Sequence, residues 1–251
     1  MEERETVKNI FGLPEYVEGV GNVYPVLMRD YDEFQECSSP LYIVEDNFDM
    51  EEAKKIDKDI QLLDLILLGM SNKDEIINQF KKLFSLALRK EVSFQINEFR
   101  YTFYTNDDGR VIDRNNYKKL RKVIMRQNLL FEPKIYKNKM VREWAEKVLE
   151  VKRKNGVKIT IEDMITTVRV FTGSSYEEIM GLTLYQLYAD FKRSSKVKEY
   201  DTSVAASCAG AEKIKIEHYA EWIDMFKSPY DDLFVDKGKL GKLNSIFQGK
   251  K

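Results

Sequence analysis

Carboxylates are the most numerous side chains in this sequence that could do chemistry. Three close pairs stand out, Asp30 with Asp32, Asp107 with Asp108, and Asp231 with Asp232. Paired carboxylates can bind a divalent cation, since such cations prefer oxygen ligands. The segment "DYDEF" lacks the glycine and the distal glutamate of an EF-hand loop, and "NDDG" is typical of a turn. The sequence therefore predicts no dedicated metal site.

The sequence contains few residues that could act as catalytic nucleophiles or bind a cofactor. The single histidine, His218, lies in "KIEHYAEW", which predicts a helix, and the two cysteines, Cys37 and Cys208, belong to no motif. The chain has no GxGxxG, GxxxxGK[ST], HExxH, GxSxG or CxxC pattern. The GxG in "GVGNVYP" follows no buried strand and opens no helix. We therefore expect a protein without enzymatic activity or cofactor, in a reducing, intracellular setting.

Basic residues cluster in the middle of the chain. Residues 110–158 hold 16 basic and 5 acidic side chains, whereas residues 1–60 hold 6 basic and 16 acidic ones. In "NNYKKLRKVIMRQ" the apolar stripe is Tyr117, Leu120, Val123 and Ile124, and the other face carries Lys118, Lys119, Arg121, Lys122 and Arg126. This face could contact phosphates through Lys118, Lys119, Lys122 and Arg126. It could equally be solvated, or dock on the acidic N-terminal region.

The segment "SSYEEIMGLTLYQLYADFKR" at 174–193 combines helix-start signals with aromatic residues. Ser174 with Glu177 has capping-box spacing, and Thr183 can cap the next helix. A DNA-reading helix needs several polar side chains aimed at base edges, and only Gln186 suits that role. Leu184, Leu187, Tyr188 and Phe191 form an apolar stripe, and Tyr185 lies off it. The pattern favours a core helix with a protein-contact surface over base recognition.

Periodicity predicts the elements that position these residues. Ile56, Ile60, Leu63 and Leu67 fall on one face, which predicts one helix ending near Gly69, and a second helix follows at 71–90. Near residues 92–112 the period changes to two, which predicts one small antiparallel β-hairpin or meander with Gly109 in its turn. Helices follow again to about 210. The expected fold class is mainly α-helical, α+β.

Domain limits are suggested by these changes of pattern. We expect an N-terminal helical region with the hairpin at 1–112, a C-terminal helical region at 113–225, and a flexible tail at 226–251. No apolar run approaches the ~20 residues that a membrane span needs. The charged start "MEERETVKN" is unlike a signal peptide. The composition, with 43% apolar and 33% charged residues, is that of an ordinary soluble protein.

The order of these features resembles proteins encoded in tailed bacteriophages and prophages of Gram-positive bacteria. Their genes lie between those of the major tail protein and the tape measure protein. The resemblance spans most of the chain and rests on an acidic helical stretch, the small hairpin, and four segments: "GVGNVYPVLMRDYDEFQE", "RNNYKKLRKVIMRQN", "SYEEIMGLTLYQLYADFKR" and a helix with "HYAEWID".

This resemblance implies a tail assembly chaperone. Such proteins are mostly helical and non-enzymatic, act in the host bacterial cytoplasm during virion morphogenesis, coat the aggregation-prone tape measure protein and recruit tail tube subunits. The family supplies no catalytic motif. Exposed aromatic side chains would suit such contacts, because they bury large area with little entropy loss. The candidate partner-binding residues are Tyr185, Tyr188, Trp222 and Phe226, and self-association of the chain is also possible.

Two other functions remain open at this point. A nucleic-acid-binding protein would use the basic 110–158 segment, and its binding would weaken steeply with added salt. A structural virion protein of the tail, neck or baseplate would remain in the finished particle. Neither alternative requires a membrane.

Overall fold

The computed structural model describes residues 3–69, 71–97, 100–136, 138–155, 158–211 and 214–219. Short 3₁₀ turns lie at Met28–Asp30, Ser39–Tyr42 and Glu45–Asn47. The strands are β1 (Glu15–Val17), β2 (Gly21–Val23), β3 (Val92–Asn97), β4 (Arg100–Thr105) and β5 (Val111–Ile112). The helices are α1 (Glu3–Ile10), α2 (Tyr31–Cys37), α3 (Met50–Ile56), α4 (Leu62–Gly69), α5 (Lys73–Leu88), α6 (Tyr117–Gln127), α7 (Lys139–Asn155), α8 (Ile161–Thr172), α9 (Tyr176–Met180) and α10 (Leu184–Cys208).

The fold is mainly helical with two small antiparallel sheets, so the predicted class is confirmed. The predicted meander is the sheet β3-β4-β5, in which Phe94 pairs with Phe103 and Phe103 pairs with Ile112. Gly109 lies in the turn before β5 with φ of 63°, a conformation that glycine adopts without strain. The second sheet, β1-β2, was not predicted.

An aromatic cluster forms the centre of the larger core. Phe80 and Phe84 lie four residues apart on α5 and therefore share one helix face. Their rings pack together with a centroid distance of 5.3 Å. Phe103 of β4 lies 5.6 Å from Phe80 and 5.2 Å from Phe84, and Tyr117 of α6 lies 5.5 Å from Phe80. The meander and α6 thus share one core with α5.

A smaller core joins the C-terminal helices to the N-terminal region. Val168 of α8, Ile179 of α9 and Leu187 of α10 are buried together with Met28. The Met28 amide donates to the Leu182 carbonyl at 2.8 Å, and Leu27 forms an isolated β-bridge with Thr183. Residues from both ends of the sequence therefore build this cluster.

The predicted boundary between residues 112 and 113 does not separate two compact units. One unit comprises the described residues of 3–133 and 159–219, and the other holds α7. The reason is the packing of α6 and of the C-terminal helices against N-terminal residues, which the sequence pattern alone does not reveal. The predicted tail, 226–251, lies outside the described residues.

The prediction of a single helix carrying Ile56, Ile60, Leu63 and Leu67 is wrong. α3 ends at Ile56, whose side chain is 79% exposed, and α4 begins at Leu62. Between them Asp57 is extended, with φ of −143°, and its carboxylate accepts a hydrogen bond from the Asp59 amide at 2.9 Å. An aspartate that bonds a neighbouring amide competes with helix formation. Arg114 Nη1 holds the same carboxylate at 2.6 Å.

Side-chain caps begin the C-terminal helices. The Thr183 hydroxyl accepts from the Gln186 amide at 3.1 Å, and the Gln186 side chain accepts from the Thr183 amide at 2.8 Å, which confirms the predicted cap of α10. The cap of α9 is Ser175, one residue after the predicted Ser174. The spacing was right, but "SSYEE" contains two Ser-x-x-Glu pairs and only the second is used.

The two cysteines differ in reactivity. Cys37 is fully buried, and this burial raises the pKa of its thiol to about 12, whereas Cys208 is exposed. Only a thiolate alkylates readily. We expect iodoacetamide at neutral pH to modify one cysteine of the native protein and both cysteines in denaturant, as counted by intact-mass spectrometry. Modification of two cysteines in the native protein would contradict a closed core around α2.

Candidate partner-binding surface

Tyr185, a predicted partner-binding residue, is not on the surface. Its side chain is only 1% exposed, so the prediction of an exposed, off-stripe tyrosine is wrong. This burial depends on the tertiary packing of α10, which has α1 as one of its neighbours. Beside Tyr185, the Gln186 side chain donates to the Ile10 carbonyl at 2.8 Å. The helix therefore buries a wider arc than its apolar stripe indicates.

Tyr188 is half-buried and remains a candidate contact residue. The ammonium of Lys192, one turn further along α10, lies 5.2 Å from the centroid of its ring. A cation at this distance is attracted to the ring face. Trp222 and Phe226, the other two predicted contact residues, lie outside the described residues.

The basic face of α6 lies against acidic residues of the N-terminal region. The ion pairs are Lys118 with Glu45 (3.3 Å), Lys119 with Glu18 (4.0 Å) and Arg126 with Glu15. Exposed pairs of this kind stabilise little individually. The side chains of Lys118 and Lys119 nevertheless stay more than half exposed, so this face is both paired with the acidic head and solvated. Lys122 is exposed on the same helix.

Arg121 was predicted on the basic face and is instead buried, with 2% exposure. Its Nε donates to the Leu41 carbonyl at 2.9 Å, and its Nη1 donates to the Glu132 carboxylate at 2.9 Å. A buried guanidinium needs such acceptors, because an unpaired buried charge is costly. The prediction failed because charge alone does not distinguish a solvated arginine from one that ties a loop to a helix.

Exposed apolar side chains accumulate on α8 and α9. Val170 is 77% exposed and Phe171 47%, although Val168 in the same helix is buried at 1%. Tyr176 and Met180 of α9 are 53% and 50% exposed, and the Arg169 guanidinium lies 4.8 Å from the centroid of the Tyr176 ring. Apolar groups exposed together in this way are typical of interaction sites.

A groove adjoins these residues, and we call it the α8–α10 groove. Its volume is 450 Å³, and its lining is Phe171, Ser195, Lys198, Glu199, Thr202 and Ser203. α8 contributes the aromatic side chain of Phe171, whereas α10 contributes hydroxyls and charges of both signs. Such a groove can receive an apolar side chain and orient it through its charged rim.

A second exposed apolar region lies at the N-terminus. Val7, Ile10, Phe11, Leu13 and Tyr16 are between 43% and 67% exposed. None of the predicted partner-binding residues lies in this region. The spacing of Val7, Ile10 and Phe11, at i, i+3 and i+4, is the signal that would have predicted an amphipathic α1.

The region around His218 is not the helix that "KIEHYAEW" predicted, since residues 214–219 are non-helical where the structure describes them. His218 is exposed, and its ring stacks on Tyr219 at 4.4 Å. Within the described ranges no cluster of three or more His, Cys, Asp or Glu side chains could hold a metal ion. None of the helices described there combines the length and apolar character required to cross a membrane.

Comparison with known proteins adds a phage connection. Residues 151–224 match the family described as the YomV second domain, a range that includes α8, α9 and α10. The chain is 24% identical over 232 residues to the SPbeta prophage-derived uncharacterized protein YomV of Bacillus subtilis (strain 168), covering 92% of this chain and 93% of the relative. No solved structure matches. The expected relationship to prophage proteins is confirmed by this similarity, and the tail chaperone role stays a prediction.

Proposed function

We propose that this protein is a non-enzymatic phage tail assembly chaperone that binds the tape measure protein and recruits tail subunits. The observation that carries the proposal is the exposed apolar surface of α8 and α9 beside the α8–α10 groove. This surface lies inside the range that matches the YomV second domain, on a chain similar to a prophage-derived protein. The resemblance of the sequence to tail assembly chaperones is the reason for naming the tape measure protein as the partner of this surface.

The α8–α10 groove suits an amphipathic helix. A helix presents apolar anchors at i, i+3, i+4 and i+7 along one face, and such anchors dock in apolar grooves. Phe171 supplies apolar area from α8, while Lys198 and Glu199 of α10 supply charges of opposite sign. Burying one large apolar side chain contributes about 1.5–3 kcal/mol, so a few anchors suffice for a reversible complex.

A protein that recruits one partner to another needs two contact surfaces. The N-terminal apolar residues Val7, Ile10, Phe11, Leu13 and Tyr16 are the second surface, and the proposal assigns them to tail tube subunits. The nucleic-acid alternative draws less support, since Lys118, Lys119 and Arg126 are engaged by carboxylates.

Co-expression tests the proposal. We expect the native chain to raise the soluble fraction of the tape measure protein encoded by the same genome severalfold. The double substitution Val170→Glu with Phe171→Glu should abolish this gain, because two carboxylates would have to lose their hydration on entering an apolar contact. Both residues are substantially exposed, so the variant should fold normally, which circular dichroism and thermal unfolding would check.

Ile56→Glu is the matched control. Ile56 is 79% exposed on α3, so this variant introduces the same chemical change away from the α8–α10 groove and should retain the gain. An unchanged soluble fraction with the native chain would contradict the chaperone function. A native-like gain with the double variant would leave the function standing but show that α8 does not provide the contact.

A further inference from the structure

A polar cavity separate from the α8–α10 groove lies where the end of α5 meets β2 and the β4–β5 turn. Its volume is 340 Å³. Three basic residues line it, Arg89, Lys90 and Arg110, together with the polar side chains of Asn22, Tyr24 and Thr105. Three cations around one small space repel one another, which makes the cavity a favourable environment for an anion.

Arg89 is held in the cavity by its backbone conformation. It caps α5 in the left-handed region with φ of 53°, which few non-glycine residues adopt. Its guanidinium lies 4.5 Å from the centroid of the Tyr24 ring. Tyr24 is itself anchored, since its amide donates to the Ala87 carbonyl at 2.7 Å. The strained backbone and the stacked ring together fix the direction of the arginine.

Arg110 is held by a close approach to the β1–β2 turn. Its Nη1 donates to the Val20 carbonyl at 3.4 Å. The next residue is Gly21, with φ of 106°, and a Cβ atom there would lie only 1.8 Å from that same nitrogen. Glycine at this position therefore leaves the space that the guanidinium occupies.

One carboxylate partly balances these charges. Asp108 Oδ2 lies 2.6 Å from Lys90 Nζ and 3.0 Å from Arg110 Nε. Hydrogen bonds from Lys90 and Thr105 lower the pKa of Asp108 to about 2, so it is ionised at neutral pH. In the part of the chain that the structure describes, Arg89 has no carboxylate partner within 4.0 Å. The cavity therefore retains an excess of two positive charges.

We propose that this cavity binds a phosphate group, either as the free ion or as part of a small nucleotide. The guanidinium fork of arginine matches phosphate oxygens with paired hydrogen bonds, and lysine adds a point charge. The Asn22 side-chain amide offers a further hydrogen-bond donor at the same cavity. The volume accommodates the phosphate with a small attached group, since ligand pockets of about 300 Å³ and above are common.

Titration of the ¹⁵N-labelled chain with inorganic phosphate tests this site. Ionic strength is kept constant with chloride, and sodium acetate and a nucleoside monophosphate are titrated in parallel. We expect saturable amide shifts confined to residues 20–24, 88–90 and 105–110, with weak or no saturation by acetate. Tighter binding of the nucleoside monophosphate would identify the nucleotide as the source of the phosphate, and equal binding would identify the free ion.

Single substitutions locate the binding groups. Arg89→Gln and Arg110→Gln should each weaken phosphate binding about tenfold, the effect of one lost charge-assisted pair. Lys55→Gln removes the same charge from the exposed face of α3 and should leave the dissociation constant unchanged. If the Arg110→Gln variant does not fold, the phosphate affinity of the Arg89→Gln variant alone tests the proposal. Shifts that grow without saturation, or equal binding by Arg89→Gln and the native chain, would overturn the proposal.

Discussion

Replacing Phe80 by alanine should lower the free energy of unfolding by about 3–5 kcal/mol. Phe80 is fully buried, and its ring contacts those of Phe84, Phe103 and Tyr117, which come from α5, β4 and α6. The substitution removes all three contacts and leaves a cavity among rigid neighbours that cannot collapse onto it. Urea unfolding followed by tyrosine and tryptophan fluorescence measures the change. The curves of the native chain and the variant are fitted with a shared m-value.

Phe11→Ala is the control for this prediction. Phe11 is 67% exposed, so its removal should change stability by no more than about 0.5 kcal/mol. A Phe80→Ala variant that loses less than about 1 kcal/mol would mean that the ring cluster does not hold the meander against the helices. Phe80→Leu should fall between the two, because it retains much of the apolar volume.

Replacing Arg121 by alanine should lower the free energy of unfolding by about 2–4 kcal/mol. The Leu41 carbonyl would lose its donor, and the long side-chain stem would leave a void. Glu132 is 53% exposed on its side chain, so it would become hydrated rather than remain a buried unpaired charge. This is why the expected loss stays below that for a fully buried ion pair.

Two further variants separate the causes of this loss. Arg121→Met retains the stem but not the donors, so we expect it to recover the packing and still lose about 1–3 kcal/mol for the unsatisfied carbonyl. Lys122→Ala, the exposed neighbour on α6, should be nearly neutral. Equal stability of Arg121→Ala and the native chain would show that the contact with Leu41 contributes nothing.

Local patterns were sufficient to predict the elements of the larger core. Residues spaced at three and four positions placed α5 and α6, and strict alternation placed β3 and β4. These signals are strong because one face of each element is buried and the other is solvated. The break at 57–61 escaped prediction, because apolar spacing continues across it while Asp57 bonds its own backbone and Arg114.

Burial that depends on distant residues could not be predicted. Tyr185 is buried on α10, a helix that contacts α1, and Arg121 is buried with its Nε bonded to the carbonyl of Leu41. The residues that pack against these two side chains are far away in the sequence, so local patterns do not indicate the contacts. The α8–α10 groove escaped for the opposite reason, since Phe171 lies three residues after the buried Val168 and fits a core pattern, and only the structure shows that its side chain is 47% exposed.

The pairing of distant segments has a consequence for the time course of synthesis. The Val26 amide bonds the side chain of Asn128, 102 positions later, and the Ile10 carbonyl accepts from Gln186, 176 positions later. A ribosome adds about 5–20 residues each second, so roughly 9–35 s separate the making of Ile10 and Gln186. At this rate Asn128 follows Val26 by roughly 5–20 s, and until then Val23 and Val26 lack part of their final cover. The speed of translation therefore sets how long these apolar side chains stay partly uncovered on the nascent chain.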